Sequence, residues 1–255
     1  MRIARVSVPD IAGPVFGLVN GTKIELIKGH PFAELEKTGV EFDLDQVKIL
    51  SPVLPSKVVC VGKNYADHAK ELGGEVPAEP VIFLKPSTTV IGEGDPIVLP
   101  SQSKNVHHEA ELAVVISHLC KNVDVDRAAE VILGYTVAND VTARDLQESD
   151  GQWTRAKSFD TFCPLGPWIE TELDSTNLAI SCEVNGEVKQ SGNTSDMVRS
   201  AHEMVAWISK VMTLLPGDVI LTGTPAGVGP IKNDDIVEVT IAGIGTLANP
   251  VKQGA

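Results

Sequence analysis

Two glutamates, Glu109 and Glu111, stand at the mouth of an apolar run that extends to Ile116. Side chains at i and i+2 of a strand point to one face, so this spacing sets two carboxylates side by side. From Leu112 to Ile116 there is no polar alternation, which predicts a strand buried on both faces. Two buried carboxylates in proximity repel, and one must take a proton unless a cation joins them. An oxygen-rich site of this kind suits a hard cation, Mg2+, Mn2+ or Ca2+, rather than zinc. A solvated strand face is the ordinary meaning of a lone E-x-E, and spacing alone leaves both readings open.

A third carboxylate, Asp140, ends the apolar stretch "ILGYTVAND" and so also falls at a strand mouth. It could instead cap the helix suggested by "TARDLQ", a frequent role for aspartate. His68 and Glu71 sit at i and i+3 of a short helical stretch, hence on one face. That spacing commonly means a surface ion pair. Its chemical reading is a proton-transfer pair in which Glu71 orients His68. His107 and His108 are weaker candidates for metal ligands, because the adjacent carboxylates prefer a hard ion, and they are expected to support structure nearby. Lys85 and Lys157, if a metal is present, could bind a substrate carboxylate or a developing enolate. The loop "TGTPAGVG" spells neither a phosphate-binding loop nor a dinucleotide fingerprint. Its glycines, Gly223 among them, would allow close backbone approach to a small ligand, with the Thr224 hydroxyl available to it.

The elements that must position these groups are mostly strands. "VFGLV" and "TKIELI" flank Asn20-Gly21, a hairpin dipeptide in which both residues accept positive φ, and Asn185-Gly186 repeats the device. The prolines of "LSPVLPSK" mark a boundary, dividing a small N-terminal β domain, residues 1–52, from residues 53–255. "KVVCVG" and "PVIFLKPS" read as buried strands, and between them "YADHAKELGG" holds a two-turn helix stopped by Gly73-Gly74, a candidate mobile lid. "DVDRAAEVILGY" reads as a capped amphipathic helix. The longest helix starts at a capping box, Ser200 and Glu203, and carries Met204, Val205, Ile208 and Val211 as its apolar stripe. Strands outnumber helices and pair mostly as hairpins, which predicts an α+β, mainly β architecture rather than a doubly wound sheet.

At 255 residues the chain can bury a full core. Its formal net charge of −13 argues against nucleic acid and anionic membrane as partners, though a metal or a few placed cations can reverse the field locally. Cys60, Cys120, Cys163 and Cys182 form no CxxC pair and read as reduced structural thiols. No signal-peptide core and no bilayer-length apolar window is present, so a soluble, cytoplasmic protein is expected.

In order, "KVVCVGKNYADHAKE", "EPVIFLKPSTTVIG", "VHHEAELAVVI", "NDVTARDLQ", "WTRAKSFDTFCPLGP" and "LPGDVILTGTPAGVGP" resemble the fumarylacetoacetate hydrolase superfamily. The likeness covers the chain from Lys57 onward, and the N-terminal segment is similar to the short variable domain of bacterial members. It implies a mixed β-sandwich roll and a homodimer. It implies Mg2+ or Mn2+ held by Glu109, Glu111 and Asp140, and a lid carrying catalytic His68 and Glu71. Lys157 and Thr224 would contact the 2-oxo-carboxylate end of the substrate, with Lys85, Arg144, Gln147 and Gly223 assisting. The mammalian-type enzyme adds an aspartate ligand before its catalytic histidine, and here Asn64 stands in that place. The expected activity is therefore acylpyruvate hydrolysis or oxaloacetate decarboxylation. The alternatives are a 2-hydroxyhepta-2,4-diene-1,7-dioate isomerase or fumarylpyruvate hydrolase of aromatic catabolism, and, more remotely, a non-catalytic binder of oxo acids.

Overall fold

The apolar run behind the paired glutamates forms the strand Ala110–Ile116, buried at every position. It pairs antiparallel with Ile132–Asn139 on one side and Val219–Leu221 on the other. These strands are interior members of a 12-stranded sheet in this computed structural model, which describes residues 1–254. The path across that sheet runs Glu36–Asp43, Lys23–Lys28, Val15–Asn20, Arg2–Ser7, Cys163–Glu170, Ile132–Asn139, Ala110–Ile116, Val219–Leu221, Val58–Gly62 and Val81–Lys85. A five-stranded sheet runs Glu187–Asn193, Ala179–Val184, Ile236–Ile241, Gly245–Gln253 and Ile97–Leu99.

Period-two alternation turns these sheets into a mixed β-sandwich roll. Leu112, Val114 and Ile116 join one core with Ile180, Val237 and Val239 of the smaller sheet. Ala113 and Val115 pack on the opposite face with Val58, Cys60, Val219 and Leu221. Each fully buried Val, Leu or Ile stabilises the fold by about 1.5–3 kcal/mol, so a strand buried on both faces is held in register twice over. By the same alternation, Glu111 lies on the face of Ala113 and Val115.

The first strand, Arg2–Ser7, is continuous with this sheet. It pairs with Cys163–Glu170, and the terminal ammonium donates to Glu170 Oε1 at 2.6 Å. Ala4, Val6, Ile24 and Leu26 form a separate small core around it.

Four local expectations change. The stretch "DVDRAAEVILGY" is a 3-10 segment, Val125–Val131, and becomes strand at Ile132. Pairing of its β-branched end with Ala110–Ile116 outweighs a weak helix propensity. Val81–Lys85 is the sheet's edge and leaves Leu84 46 % exposed, because an apolar run does not distinguish an edge from an interior strand. The helix Ala201–Val211 has its capping box and buries Met204, Val205 and Ile208, but ends at an exposed Val211. Both Asn185 and Gly186 take positive φ, whereas Asn20 stays in its strand opposite Lys23 and Gly21 leads the turn. Among the described residues, no helix is long and apolar enough to cross a membrane.

Candidate active site

Glu109 falls where the strand Val106–His108 gives way to Ala110–Ile116, and Asp140 follows the end of Ile132–Asn139. The Asp140 N–H donates to the Glu109 carbonyl at 2.9 Å, which locks these two strand ends together. One carboxylate oxygen each of Glu109, Glu111 and Asp140 lies within 4.8 Å of the others. Three cations enclose them. Lys157 Nζ donates to Glu109 Oε2 at 2.8 Å and to Asp140 Oδ2 at 2.7 Å. Arg144 Nη2 donates to Glu109 Oε1, and Lys85 Nζ to Asp140 Oδ1 and, at 3.0 Å, to the Val141 carbonyl. All six side chains belong to residues no more than 4 % exposed.

Burial alone would push Glu109 up, but Lys157 and then Arg144 hold its carboxyl well below the usual range. Burial would likewise lower Lys157, yet Asp140 and Glu109 raise it, so its ammonium stays charged. Glu111 is the exception. Its Oε2 accepts from the Gly223 N–H at 2.5 Å, and it has no cationic partner among the described residues. Burial, reinforced by Asp140 and Glu109, pushes its carboxyl well above the ordinary value. An electron-rich pocket with one uncompensated buried carboxylate fits a hard divalent cation held by the three carboxylates.

The lid expectation lands on the helix Ala66–Glu71, which ends with Gly73 at φ +71. His68 Nδ1 lies 3.0 Å from Glu71 Oε2, and Glu71 Oε1 accepts from the Gly227 N–H at 2.9 Å. An ionised carboxylate only accepts, so Nδ1 carries a proton, and in the neutral imidazole Nε2 keeps the lone pair. Only glycine fits at 227, since its φ is +101 and a Cβ would come 2.2 Å from the Lys189 carbonyl. The same holds at Gly223, also at φ +101, where a Cβ would meet the Asn64 Cβ at 2.8 Å.

Asn64 itself is a bracket. Its amide nitrogen donates to the carbonyls of Arg199 at 2.9 Å and Thr222 at 2.8 Å, and its oxygen accepts from the Arg199 N–H at 3.0 Å. An aspartate could not make the two donor contacts, which gives the departure at this position a structural cause.

Thr224, His68, Arg144, Gln147 and Lys157 line a cleft of about 300 Å³, measured out to solvent, together with the three acids. Lys85 and Gly223 are not in its wall; they act on Asp140 and Glu111 from behind. Gln147 accepts from Arg144 Nη1 at 2.5 Å within the helix Arg144–Asp150. Asp140 does not cap that helix, whose N-cap residue is Ala143. His107 and His108 stay out of the cluster, and burial with Arg144 lowers His107 to about 4. His108 donates from Nδ1 to Gln190 Oε1, which also accepts from the Ala110 N–H, both at 3.0 Å. Gln190 Nε2 then donates to Thr224 Oγ1 at 2.7 Å, so the Thr224 hydroxyl proton is free to point elsewhere. Gln190 escaped the sequence reading. It ends the "NGEVKQ" hairpin segment, and a lone inward glutamine carries no spacing signal.

The description "Fumarylacetoacetate (FAA) hydrolase C-terminal" matches residues 57–252, and "Rv2993c-like, N-terminal" matches residues 1–52. The chain belongs to the fumarylacetoacetate hydrolase family. It is 42 % identical to the human mitochondrial oxaloacetate tautomerase FAHD2A, over 98 % of this chain and 91 % of that protein. Among solved structures of the family, it resembles 5-carboxymethyl-2-hydroxymuconate delta-isomerase from Mycobacterium smegmatis with a TM-score of 0.93 and 52 % identity, covering all of both chains. It also resembles maleylpyruvate hydrolase from Sphingobium sp. SYK-6, solved with manganese(II) and pyruvate, with a TM-score of 0.84 and 32 % identity over all of both chains.

Proposed function

We propose that this family member is a divalent-metal-dependent enzyme of small 2-oxo acids, hydrolysing the carbon–carbon bond of acylpyruvates or decarboxylating oxaloacetate. The observation that carries the reading is the buried cluster itself. Lys85, Lys157 and Arg144 all pair with Glu109 or Asp140, which leaves the Glu111 carboxylate facing the cleft without a cation of its own. A divalent cation adds two positive charges, which suits a ligand that becomes more anionic as it reacts. The manganese and pyruvate bound by the hydrolase relative support the same choice.

Mg2+ or Mn2+, held by Glu109, Glu111 and Asp140, would supply Lewis acidity toward the oxygens of the 2-oxo acid. The chain's own groups divide the remaining work. The Thr224 hydroxyl, oriented by Gln190, donates to the substrate carboxylate, and Arg144 with Gln147 borders it. His68 Nε2, with Glu71 fixing the tautomer, takes a proton from water. The water oxygen adds to the distal carbonyl of an acylpyruvate. The carbon–carbon bond then breaks, its electron pair passes to the pyruvate enolate, and protonation at carbon gives pyruvate and a carboxylic acid. Lys157 Nζ neutralises the enolate charge. Oxaloacetate decarboxylation passes through the same enolate without the attacking water.

A second reading, isomerisation or tautomerisation of the same acids, is favoured by the activities named for the isomerase and tautomerase relatives. It would use the same residues to move a proton without breaking the carbon skeleton. The deciding experiment incubates metal-stripped protein with acylpyruvates, oxaloacetate and a 2-hydroxy-dienoate, with and without Mg2+ or Mn2+, and identifies products by NMR. Metal-restored release of pyruvate supports the first reading. Interconversion of isomers alone supports the second, and full turnover after chelation refutes both. A homodimer in the cytoplasm is part of the proposal, and sedimentation would check the dimer.

A further inference from the structure

Lys63 is the first residue after the strand Val58–Gly62 and lines the cleft. It is one of few non-glycine residues with positive φ, at +56. Left-handed backbone costs an ordinary side chain about 1 kcal/mol, and such strain concentrates where a site needs a particular direction. The neighbouring bracket imposes it. Asn64 is tied to Arg199 and Thr222, so the chain must turn sharply at Lys63 to leave the sheet.

That turn sends the lysine toward the lid. Its Nζ lies 3.0 Å from the position a Cβ would take on Gly74, just beyond the lid helix. The other long cations of the cleft already have protein carboxylates as partners, Arg144 with Glu109, and Lys157 with Glu109 and Asp140. Lys63 has no carboxylate within ion-pair distance among the described residues. The chain therefore holds an unpaired, half-buried ammonium on the lid side of the carboxylate cluster, in a protein of net charge −13.

We infer that Lys63 is a specificity residue, binding a second substrate carboxylate remote from the 2-oxo-acid end and so favouring dicarboxylic over monocarboxylic 2-oxo acids. This rests on the function proposed above. An ammonium is a compact point charge on a flexible stem, suited to a carboxylate whose distance varies between substrates. A second anionic group also answers the charge sum, since the metal-loaded cluster is positive and Lys63 adds to it. Trp153 and Phe83, packed edge to face at 5.3 Å, line the same cleft as Lys63 and supply its apolar wall.

The test compares the metal-loaded wild type, Lys63→Met and Lys63→Arg on fumarylpyruvate and acetylpyruvate, which undergo the same hydrolysis and differ in the second carboxylate. Methionine keeps the stem length and tolerates the backbone no worse than lysine, and melting temperature checks folding. The expected result is a ten- to hundredfold fall in kcat/KM on fumarylpyruvate for Lys63→Met, carried by KM. Acetylpyruvate turnover should stay within twofold, and arginine should restore most of the loss. Equal losses on both substrates, or none, overturn the assignment of Lys63 while leaving the proposed function standing. A wild type that acts on neither acid overturns both.

Discussion

Glu71 makes two contacts that an amide cannot reproduce together. Its Oε2 accepts from His68 Nδ1, and its Oε1 accepts from the Gly227 N–H. In Glu71→Gln, the amide oxygen can serve one of these donors, and the NH2 group must then face the other. If the oxygen keeps Gly227, the NH2 donates to Nδ1 and drives the His68 proton to Nε2. The base then has no lone pair for water, and the loss is that of general base catalysis, about 10²–10⁴-fold in kcat. If the oxygen turns to His68, the NH2 opposes the Gly227 N–H and the latch opens. A hydrogen bond to a carboxylate contributes about 1.5–3 kcal/mol. Glu71 is 32 % exposed, so water softens the contact and the lower figure applies. That is about a tenfold shift toward an open lid.

The assay is pyruvate release from an acylpyruvate, paired with hydrogen exchange of amides 66–74. Glu71→Gln should lose at least about a hundredfold in kcat with lid protection kept, or lose protection about tenfold with tautomer kept. Glu71→Ala should lose both. A Glu71→Gln enzyme within threefold of wild type in rate and unchanged in exchange would refute the reasoning.

Four further outcomes are expected. Glu111→Gln keeps an oxygen for the Gly223 N–H, so it should fold as well as wild type yet bind Mn2+ at least about tenfold more weakly by calorimetry. Glu109→Gln removes the counter-charge of two buried cations and should cost about 3–5 kcal/mol. For a chain of this size that is a melting temperature lower by roughly 6–20 °C, and the opposite ranking of the two variants would contradict the charge assignment. Burial pushes the thiols of Cys163 and Cys182 up to about 12, so both are neutral throughout the physiological range. Iodoacetamide at pH 8 should label neither until denaturant is added; labelling of the native protein would show that the core opens. Asp218 is fully buried and accepts from Ser56 Oγ at 2.6 Å, the Leu215 N–H at 2.8 Å and the Lys57 ammonium. Asp218→Asn should lower stability by about 3 kcal/mol, read from urea melts, with kcat unchanged once folded.

The sheet and the acidic cluster were legible because each left a periodic trace. Ala110–Ile116 is apolar on both faces, and Glu109, Glu111 and Asp140 stand at strand mouths where such runs stop. His68 and Glu71 share a helix face and do meet. What pairs with them across the chain left no trace. Gly227 reaches Glu71 over 156 residues and Lys85 reaches Asp140 over 55, distances at which local spacing says nothing. Gln190 looked like any hairpin glutamine. Asn64 looked like a lost ligand until its three contacts gave it a supporting role. The edge position of Val81–Lys85 was hidden for the same reason: exposure depends on what pairs alongside, which composition does not state.

The charge cluster and the lid are fastened by different means. Glu109, Glu111 and Asp140 hang from the ends of interior strands, where any shift of register would disturb two cores at once. The proposed lid is a six-residue helix fixed at Asn64 before it and at Glu71 and Gly227 across its end. With His68 and Glu71 kept, selection can therefore rewrite Lys63 and the exposed positions Ala66, Asp67, Lys70 and Leu72 one residue at a time without touching the acidic cluster. A scaffold divided in this way can diversify in substrate range while keeping one chemical engine, and laboratory evolution confined to those five positions should find new specificities sooner than mutations scattered through the sheet.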